Sequence, residues 1–296
     1  MVERLSERTG FVPGGVNVGV VWIDDRRVLM VDTGVNESNG KKALKTIERA
    51  GGEVVGVLTT HAHADHFGAN ATVVKRTGAR VHTPAIDEAI LRHPELMPRM
   101  LFAGADPPPG LRGRFLLAEP SPVDVVLAAG TTEVDGVAIE VIPLPGHSPG
   151  QVGYLIDGVF FCADIVLPPE ALAKFKIPYL CSVTEHLASL DRAGTIPFER
   201  AVPGHGPVVD DLGDLIALNR SLAIRLIDAV VSALEQPQTV DALMSEMLGV
   251  FDADPADTAA YYLIQPTIYA ALSYLETTGK IANVVANRQS TWVALG

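Results

Sequence analysis

The most constraining feature of this sequence is the segment His61-Ala62-His63-Ala64-Asp65-His66, which places four metal-ligand side chains within six residues. The chain contains only 8 histidines among 296 residues, so three at fixed spacing beside an aspartate seldom arise by chance. The segment directly follows the apolar run at 53–60, which predicts a buried strand. Because the end of a rigid strand can present ligands at a sheet edge, the sequence predicts a metal site here.

The number of ligands indicates more than one ion. Zinc prefers four ligands and keeps one position open in a catalytic site. Four side chains, together with candidates further along the chain, exceed what a single ion needs. We therefore expect two ions about 3.5–4 Å apart.

Three later segments also end a predicted strand with a ligand-type side chain, and in two of them an adjacent glycine lets the backbone approach closely. These side chains are His147 in LPGHSPG, Asp164 after FFCA and His205 in PGHGP. We expect folding to bring them to the histidine cluster. Asp32, in VDTG, repeats this placement and could orient a metal ligand by hydrogen bonding to it.

The apolar pattern divides the chain into two predicted domains, residues 1–213 and 214–296. In the first, strand-like runs such as 17–23 and 28–32 alternate with helical ones such as 40–52. Two β-rich halves with interspersed helices predict an α/β fold with a sheet-on-sheet core and helices outside. The second domain reads as three helices and a strand pair, which is the outline of a winged helix.

Residues 94–122 mix prolines with large apolar residues and show no sustained period. A packed irregular connection accounts for this composition. A flexible apolar lid over the site is the alternative, because long loops in compact domains are often functional.

Charge and hydropathy restrict the partners. The chain has 35 acidic and 23 basic residues, a formal net charge of −12. Proteins that bind nucleic acids normally carry basic clusters, so a nucleic-acid partner is disfavoured and a small-molecule substrate is expected. We find neither a signal peptide nor the ~18 uninterrupted apolar residues of a membrane span, so we expect a cytoplasmic protein without a membrane partner. A homo-oligomer is compatible with the sequence.

At these residues the chain resembles the metallo-β-lactamase-fold metallohydrolase superfamily. The motifs VDTG, HAHADH, PGHSPG, CAD and PGHGP occur in that family's order, and the resemblance covers about residues 17–210. It implies an αββα sandwich with metals at one edge of the paired sheets. Residues 214–296 resemble the winged-helix-like appendage of some members, so the pattern is closest to the glyoxalase-II-like and winged-helix-bearing branches.

The resemblance also implies a role for each candidate ligand. A first metal ion is held by His61, His63 and His147. A second is held by Asp65, His66 and His205, Asp164 bridges both ions, and Asp32 is the family's structural aspartate near the site. Two Zn²⁺ ions are expected, with iron or manganese as alternatives. β-Lactamases of the main zinc class usually replace the histidine of the Asp-His pair and use a cysteine ligand, so antibiotic hydrolysis is disfavoured.

Our hypothesis for the mechanism is metal-assisted hydrolysis by a hydroxide that the two ions generate from a shared water. The first ion polarises the substrate carbonyl and the second stabilises the leaving thiolate or alkoxide. Asp65 is expected to help move a proton as a catalytic residue. Tyr179, in KFKIPYL, could donate a hydrogen bond to the substrate carbonyl, and a packing tyrosine is the alternative.

The substrate expectation is a carbonyl ester, thioester or lactone with an apolar acyl part, with glyoxalase-II-like thioesters foremost. An endoribonuclease or phosphodiesterase of the same fold is an alternative against which the charge argues. Another is a mononuclear iron dioxygenase of persulfides, in which His61, His147 and Asp164 would hold one Fe(II). A winged-helix regulator with an inactive sensor domain is the non-enzymatic alternative, and the complete ligand set disfavours it.

Overall fold

The computed structural model describes residues 1–295, so Gly296, the last residue of the second predicted domain, lies outside the described residues. The strands form a seven-stranded sheet, a five-stranded sheet and a separate hairpin. The first sheet contains, in spatial order, β1 (Glu3–Arg4), β2 (Thr9–Val12), β3 (Val18–Trp22), β4 (Arg27–Val31), β5 (Glu53–Leu58), β6 (Arg80–Pro84) and β7 (Val125–Leu127). The second contains β8 (Gly130–Val134), β9 (Val137–Pro143), β10 (Val152–Ile156), β11 (Val159–Ala163) and β12 (Arg200–Pro203), also in spatial order.

Ten α-helices accompany the strands in the described part of the chain. Between the strands of the two sheets lie α1 (Glu37–Arg49), α2 (Ala64–Phe67), α3 (Asn70–Thr77), α4 (Glu88–Arg92), α5 (Leu96–Leu101), α6 (Pro169–Phe175) and α7 (Val183–Ala193). After β12 come α8 (Gly213–Ala233), α9 (Val240–Val250), α10 (Thr258–Thr277) and the hairpin of β13 (Ile281–Ala286) and β14 (Gln289–Ala294).

The two large sheets pack face to face. Leu29 and Leu58 from the first sheet share one apolar cluster with Ile139, Tyr154 and Phe161 from the second. These side chains are buried because each occupies the inward-facing position of its strand, and the shared cluster removes both apolar faces from water.

Helices cover the outer faces of both sheets. Ala43 and Ile47 of α1 pack with the first sheet, whereas Leu190 and Ala193 of α7 pack with the second. The α7 helix begins after a capping serine, because Ser182 Oγ accepts a hydrogen bond from the Glu185 N–H at 3.2 Å. The chain is thus an αββα sandwich, as the resemblance implied.

Strand direction decides which loops meet. β4, β5 and β6 are mutually parallel, so the segments that follow them leave the first sheet at one edge. In the second sheet β9 and β11 each run antiparallel to β10, and β12 runs parallel to β11. Their carboxyl ends therefore also share one edge, and the loops that carry the candidate ligands emerge together.

Residues 94–122 are largely packed. Met97 and Leu101 of α5 are buried, as is Leu111 in a short 3-10 helix at Pro109–Leu111, and all three belong to the core beneath the first sheet. The interpretation as a packed connection agrees with this arrangement, although Phe115 stands 60% exposed.

The region after β12 consists of three helices and a hairpin, in the predicted order. Its core joins apolar side chains of α8, α9 and α10 to Leu180 and Val183 of the preceding region. The division at residues 213 and 214 and the winged-helix comparison remain proposals. Within residues 1–295, no helix has the combination of length and apolar character that crossing a membrane requires.

Asn219 of α8 ties this region to the sandwich. Its side chain accepts a hydrogen bond from the Leu167 N–H at 3.0 Å and donates one to the Leu167 carbonyl at 2.9 Å. Both residues are buried, so truncating Asn219 leaves two buried backbone groups without partners. We predict that Asn219→Ala lowers the free energy of unfolding by about 2 kcal/mol or more, measured by urea denaturation.

Asn283→Ala in the hairpin is the matched control, because the half-buried Asn283 side chain also makes hydrogen bonds, but only to β14 of the same hairpin. We expect the control to change stability by no more than about 0.5 kcal/mol. Equal losses in both variants would contradict the structural role assigned to Asn219.

Candidate metal centre

Seven candidate ligands meet at the shared edge of the two sheets. They form three overlapping groups in which one ligand atom of each residue lies within 4.8 Å of those of the others. The groups are His61, His63 and His147; His61, His66 and Asp164; and Asp65, His66 and His205. Every metal ligand predicted from the sequence therefore lies in this one site.

The first group consists of three imidazoles. His61 Nε2 lies 3.1 Å from His63 Nδ1, and the His147 ring centroid lies 4.6 Å from that of His63. His61 and His63 come from the segment after β5, whereas His147 comes from the turn after β9. The group thus depends on contact between the two sheets.

Asp164 stands at the centre of the ligand set. Its Oδ1 lies 3.3 Å from His66 Nε2, and its Oδ2 lies 3.4 Å from His147 Nε2 and 3.3 Å from His205 Nε2. One carboxylate therefore contacts ligands of both the first and the third group. A bridging carboxylate requires this placement.

Local backbone geometry aims Asp164 into the site. The pairing of β11 with β12 shifts register between Phe161 and Ala163, and Ala163 adopts a left-handed conformation with φ 50°. This irregularity breaks the strand alternation, so Cys162 packs into the apolar cluster under the second sheet while Asp164 faces the ligands. Cys162 belongs to none of the three ligand groups.

His205 is positioned by the loop between β2 and β3. The Gly15 carbonyl, in the loop between β2 and β3, lies 2.6 Å from His205 Nδ1 and accepts its hydrogen bond. This leaves His205 Nε2 directed at Asp164 and Asp65. The preceding Gly204 is required by space, because a β-carbon there would collide with Asp164 Oδ1.

Asp32 orients two ligands from behind. Its Oδ2 lies 2.7 Å from His66 Nδ1 and accepts a hydrogen bond from Thr60 Oγ1, also at 2.7 Å. Thr60 Oγ1 in turn lies 3.0 Å from His61 Nδ1. Because the Nδ1 atoms of His61 and His66 are occupied by these contacts, their Nε2 atoms are left to bind a metal ion. The role of Asp32 in orienting a metal ligand remains a prediction.

Asp87, which lies in none of the motifs above, makes a second contact of this kind. Its fully buried carboxylate accepts hydrogen bonds from the Ala62 N–H at 2.7 Å, the Ser148 hydroxyl at 2.7 Å and the Gly150 N–H at 2.9 Å. Asp87 follows β6 at the same edge as the ligands. It therefore joins the loop of His61 and His63 to the loop of His147, and its place after a strand was the only signal available.

The turn before His147 packs closely on α7. Gly146 has φ 124°, and a β-carbon there would collide with the His186 backbone. The Gly146 carbonyl accepts hydrogen bonds from the Cys181 N–H at 2.9 Å and the Ser182 N–H at 3.2 Å. The position of His147 thus depends on the start of α7.

The imidazoles of the first group favour the neutral form. Burial lowers the pKa of His63 to about 4, and burial with the neighbouring His63 imidazole lowers the pKa of His147 to about 3. Burial beside His66 and His63 holds the pKa of His61 well below its usual range. Neutral imidazoles are the form that binds a metal ion.

The remaining ligands form an alternating cluster of charges. Burial opposes ionisation of Asp164, but His205 and His66 hold its pKa well below the usual range. The Asp164 carboxylate raises the pKa of His205 to about 10. Although burial works against it, the hydrogen bond from His205 lowers the pKa of Asp65 to about 2. Two carboxylates held ionised in a buried site require nearby positive charge.

Three buried polar atoms in this site have no hydrogen-bond partner, which bears on whether metal ions fit it. His66 Nε2, His147 Nε2 and Asp164 Oδ1 are buried and make no hydrogen bond. All three are ligand atoms that converge on one space, and leaving such atoms unpaired is costly. Nitrogen and carboxylate donors in this number suit zinc and similar divalent ions. The residues therefore fit a metal centre.

Tyr179 lies beside the first group. Its ring centroid is 5.1 Å from that of His63 and 5.9 Å from that of His147, in both cases edge to face. The ring is half-buried and forms part of the wall of the site. A hydrogen bond from its hydroxyl to a substrate remains a prediction.

Comparison with known proteins places this geometry in a family. Residues 11–205 match the family described as the metallo-beta-lactamase superfamily. The chain belongs to this superfamily. The matched range contains the strands from β3 to β12 and ends at His205, the last of the seven candidate ligands.

Several relatives in this superfamily carry an enzymatic name. A hydroxyacylglutathione hydrolase of Albidiferax ferrireducens is 25% identical over 186 residues, which are 60% of this chain and 57% of that protein. One of Acidiphilium cryptum is 31% identical over 132 residues, 44% of this chain and 42% of that protein. The chain thus spans about half the length of these relatives. A probable metallo-hydrolase of Bacillus subtilis, YqgX, is 26% identical over 64% of this chain and 85% of that protein.

Two solved structures match nearly the whole chain in fold. A metallo-beta-lactamase family protein from Thermus thermophilus has a TM-score of 0.73 and 20% identity, covering 96% of this chain and 97% of its own. A beta-lactamase domain protein from Burkholderia ambifaria has a TM-score of 0.76 and 19% identity, covering 99% and 93%. The fold of the C-terminal region therefore recurs together with the sandwich in other proteins.

Asp87 provides a test of how the first ligand group is held. In Asp87→Asn one carboxylate oxygen becomes an amide that cannot accept a hydrogen bond, so at least one of its three donors loses its partner. We predict about 10- to 100-fold weaker binding of one of two metal equivalents and little change in the other, because only the loops of His61, His63 and His147 are loosened. Titration with Co²⁺, followed by its ligand-field absorption, measures the two affinities.

Asp124→Asn is the control, because Asp124 also accepts a backbone hydrogen bond, from the Val81 N–H at 2.8 Å, but lies away from the ligands. It is expected to bind both equivalents as the wild type does. Unchanged affinities in Asp87→Asn, with a folded protein by circular dichroism, would show that Asp87 does not position the site.

Proposed function

We propose that this protein is a dinuclear metal-dependent hydrolase of carbonyl thioesters, esters or lactones, with thioesters as the leading class. The observation that carries the proposal is the convergence of seven ligand side chains around the Asp164 carboxylate. The enzymatic names of the relatives support hydrolysis of a thioester, although the chain spans only part of their length.

We propose Zn²⁺ as the ion in both positions, with iron or manganese as alternatives. His61, His63 and His147 would hold the first ion, Asp65, His66 and His205 the second, and Asp164 would bridge them. When bound, the ions would lower the pKa of a shared water and polarise the substrate carbonyl.

The proposed reaction is hydrolysis, in which the acyl group of the thioester is transferred to water. The water oxygen forms a bond to the acyl carbon, and the carbon–sulfur bond breaks with its electron pair left on sulfur. One proton of the water moves to the thiolate or to solvent, which gives a carboxylic acid and a thiol.

Asp65 is proposed to move this proton. Its side chain is 29% exposed, whereas that of Asp164 is 5% exposed. Among the carboxylates of the ligand set, Asp65 is therefore the one that both substrate and solvent can reach. A carboxylate in this position can accept a proton from the attacking water and pass it on.

Tyr179 is proposed to contact the substrate carbonyl from the side of His63 and His147. Its ring is fixed by these edge-to-face contacts, so its hydroxyl has little freedom to lose on binding. It would also exclude water from the reacting carbon.

The third ligand group, Asp65, His66 and His205, argues for this function over a mononuclear iron dioxygenase. His61, His147 and Asp164 would suffice for one Fe(II), yet Asp65, His66 and His205 form a separate group at one side of them. Phosphodiester substrates are disfavoured by the net charge of −12. We accordingly propose a small-molecule substrate, no nucleic-acid partner and a cytoplasmic location.

Residues 214–296 are proposed to form a winged-helix-like domain that shapes the substrate side of the site. Leu222 and Leu226 of α8 and Phe251 after α9 line a cleft that also contains His147 and Asp164. A DNA-binding role would require a basic surface that this region lacks.

The function is tested by metal analysis combined with a substrate panel. Purified protein is reconstituted, its metal content is measured by mass spectrometry, and turnover is assayed with thioesters, lactones, phosphodiesters and persulfides. We expect two zinc ions per chain and turnover of a thioester or lactone. One iron per chain with persulfide oxidation, or turnover confined to phosphodiesters, would overturn the proposal.

The role of Asp65 predicts a specific kinetic defect. In Asp65→Asn we expect kcat to fall by about 10²-fold or more, because the accessible proton acceptor is lost. The first metal equivalent should still bind, since His61, His63 and His147 are unchanged. Stopped-flow hydrolysis and Co²⁺ titration of the same sample separate these effects, with Asp124→Asn as the control. A kcat within about twofold of the wild type would contradict the role.

A further inference from the structure

The segment between α6 and α7 contacts both the metal centre and the region after β12. Ile177 and Leu180 are buried in the apolar core of α8, α9 and α10. Tyr179 packs instead against the core beneath the first sheet, and its ring lies beside those of His63 and His147. Since its neighbours pack into a different core, the backbone conformation at Tyr179 decides where this ring lies.

Thr267 of α10 forms hydrogen bonds with the peptide groups on both sides of Tyr179. The Leu180 N–H donates a hydrogen bond to Thr267 Oγ1 at 2.8 Å, and the Thr267 hydroxyl donates one to the Pro178 carbonyl at 2.9 Å. The Pro178 carbonyl belongs to the peptide group before Tyr179, and the Leu180 N–H belongs to the one after it. Because the planes of these two groups define φ and ψ of Tyr179, one hydroxyl fixes the backbone at this residue.

The Thr267 hydroxyl makes these contacts in a buried place. A threonine within a helix can donate to the carbonyl one turn before it, but Thr267 donates to Pro178, 89 residues away in sequence. Thr267 and Leu180 are both buried, and a buried N–H that loses its acceptor is costly. The contact therefore favours a single backbone conformation at Tyr179.

The end of the same segment is attached to the turn that carries a candidate ligand. The backbone N–H groups of Cys181 and Ser182 donate to the Gly146 carbonyl, directly before His147. The segment is thus held by α10 at one point and by this turn at the next. These contacts connect Thr267, in the region after β12, with the surroundings of the first ligand group.

We propose that Thr267 is a positioning residue of the active site, whose hydroxyl holds Tyr179 beside the first ligand group in the orientation that meets the substrate. The region after β12 then contributes to catalysis through a residue distant in sequence from every candidate ligand. Thr267 acts through Tyr179 and takes no part in the bond-breaking step. This inference rests on the proposed contact between Tyr179 and the substrate carbonyl.

A double-mutant cycle of Thr267→Val and Tyr179→Ala in the metal-loaded protein gives the kinetic test. With the best substrate of the panel, we expect Thr267→Val to lower kcat/KM about three- to tenfold, because Tyr179 no longer keeps its hydrogen bond to the carbonyl. In the Tyr179→Ala background, the same substitution should change kcat/KM by less than about twofold. An equal loss in both backgrounds would show that Thr267 does not act through Tyr179 and would overturn the proposal.

Two further variants serve as controls. Thr267→Ser keeps the hydroxyl and should retain kcat/KM within about twofold of the wild type. Thr239→Val makes the same change as Thr267→Val in the same region, at the start of α9, where Thr239 accepts a hydrogen bond from the Ala242 N–H outside the ligand groups and the cleft. It should lower stability and leave kcat/KM unchanged. A loss in either control as large as that in Thr267→Val would contradict the proposal.

Fluorine NMR separates this inference from the proposed function, because it needs no turnover. In protein labelled with 3-fluorotyrosine, one of the six tyrosine signals belongs to Tyr179 and is identified by its loss in Tyr179→Ala. We expect this signal to move or broaden in Thr267→Val and to stay in place in Thr239→Val. That result supports the positioning role even if no substrate is hydrolysed, in which case only the proposed function fails. An unchanged signal in Thr267→Val overturns the role even if hydrolysis is found.

Hydrogen exchange of the unmodified protein tests the same contact if Thr267→Val does not fold. The Leu180 amide donates to a buried hydroxyl, so we expect it to exchange about 100-fold or more slowly than in an unstructured peptide. Protection of this size supports the contact on which the proposal depends. Exchange as fast as in an unstructured peptide would overturn it.

Discussion

Two buried carboxylates that belong to none of the ligand groups, those of Asp32 and Asp87, hold together the strand ends on which the metal centre depends. Asp32 fixes His66 directly and His61 through Thr60, while Asp87 joins loops from both sheets. Without such contacts, imidazoles and carboxylates packed this closely would have to separate, because each buried polar atom needs a partner. The fold thus holds carboxylates and unpaired nitrogen atoms close together in a buried site. Bound cations, or protons in their place, are needed to balance the negative charge.

Much of this arrangement could be predicted from the sequence. The strand–helix alternation and the sandwich follow from the apolar runs. The seven candidate ligands follow from the spacing of HAHADH after a predicted strand and from the histidine or aspartate at the end of three later strands. Asp87 could not be found in this way, because AIDEAIL reads as the acidic start of a helix. Its role comes from contacts with residues 62, 148 and 150, which are distant in sequence and leave no local pattern.

The two sides of the site differ because the region after β12 covers only one of them. Apolar side chains of α8 cover the side of His147 and Asp164, whereas the loop between β2 and β3 and helix α1 leave an open cavity on the side of Asp65 and His205. The segment 94–122 is anchored to the core by the buried side chains of Met97 and Leu111. Phe115 of the same segment lines that cavity.

We propose that seven side chains from two sheets hold a pair of metal ions in one pocket. Anomalous X-ray diffraction from crystals of the zinc-loaded protein, recorded above and below the zinc absorption edge, locates such ions without reference to activity. We expect two peaks about 3.5–4 Å apart, one bounded by His61, His63 and His147, the other by Asp65, His66 and His205, with Asp164 between them. A single peak, or peaks at other places on the molecule, would contradict it.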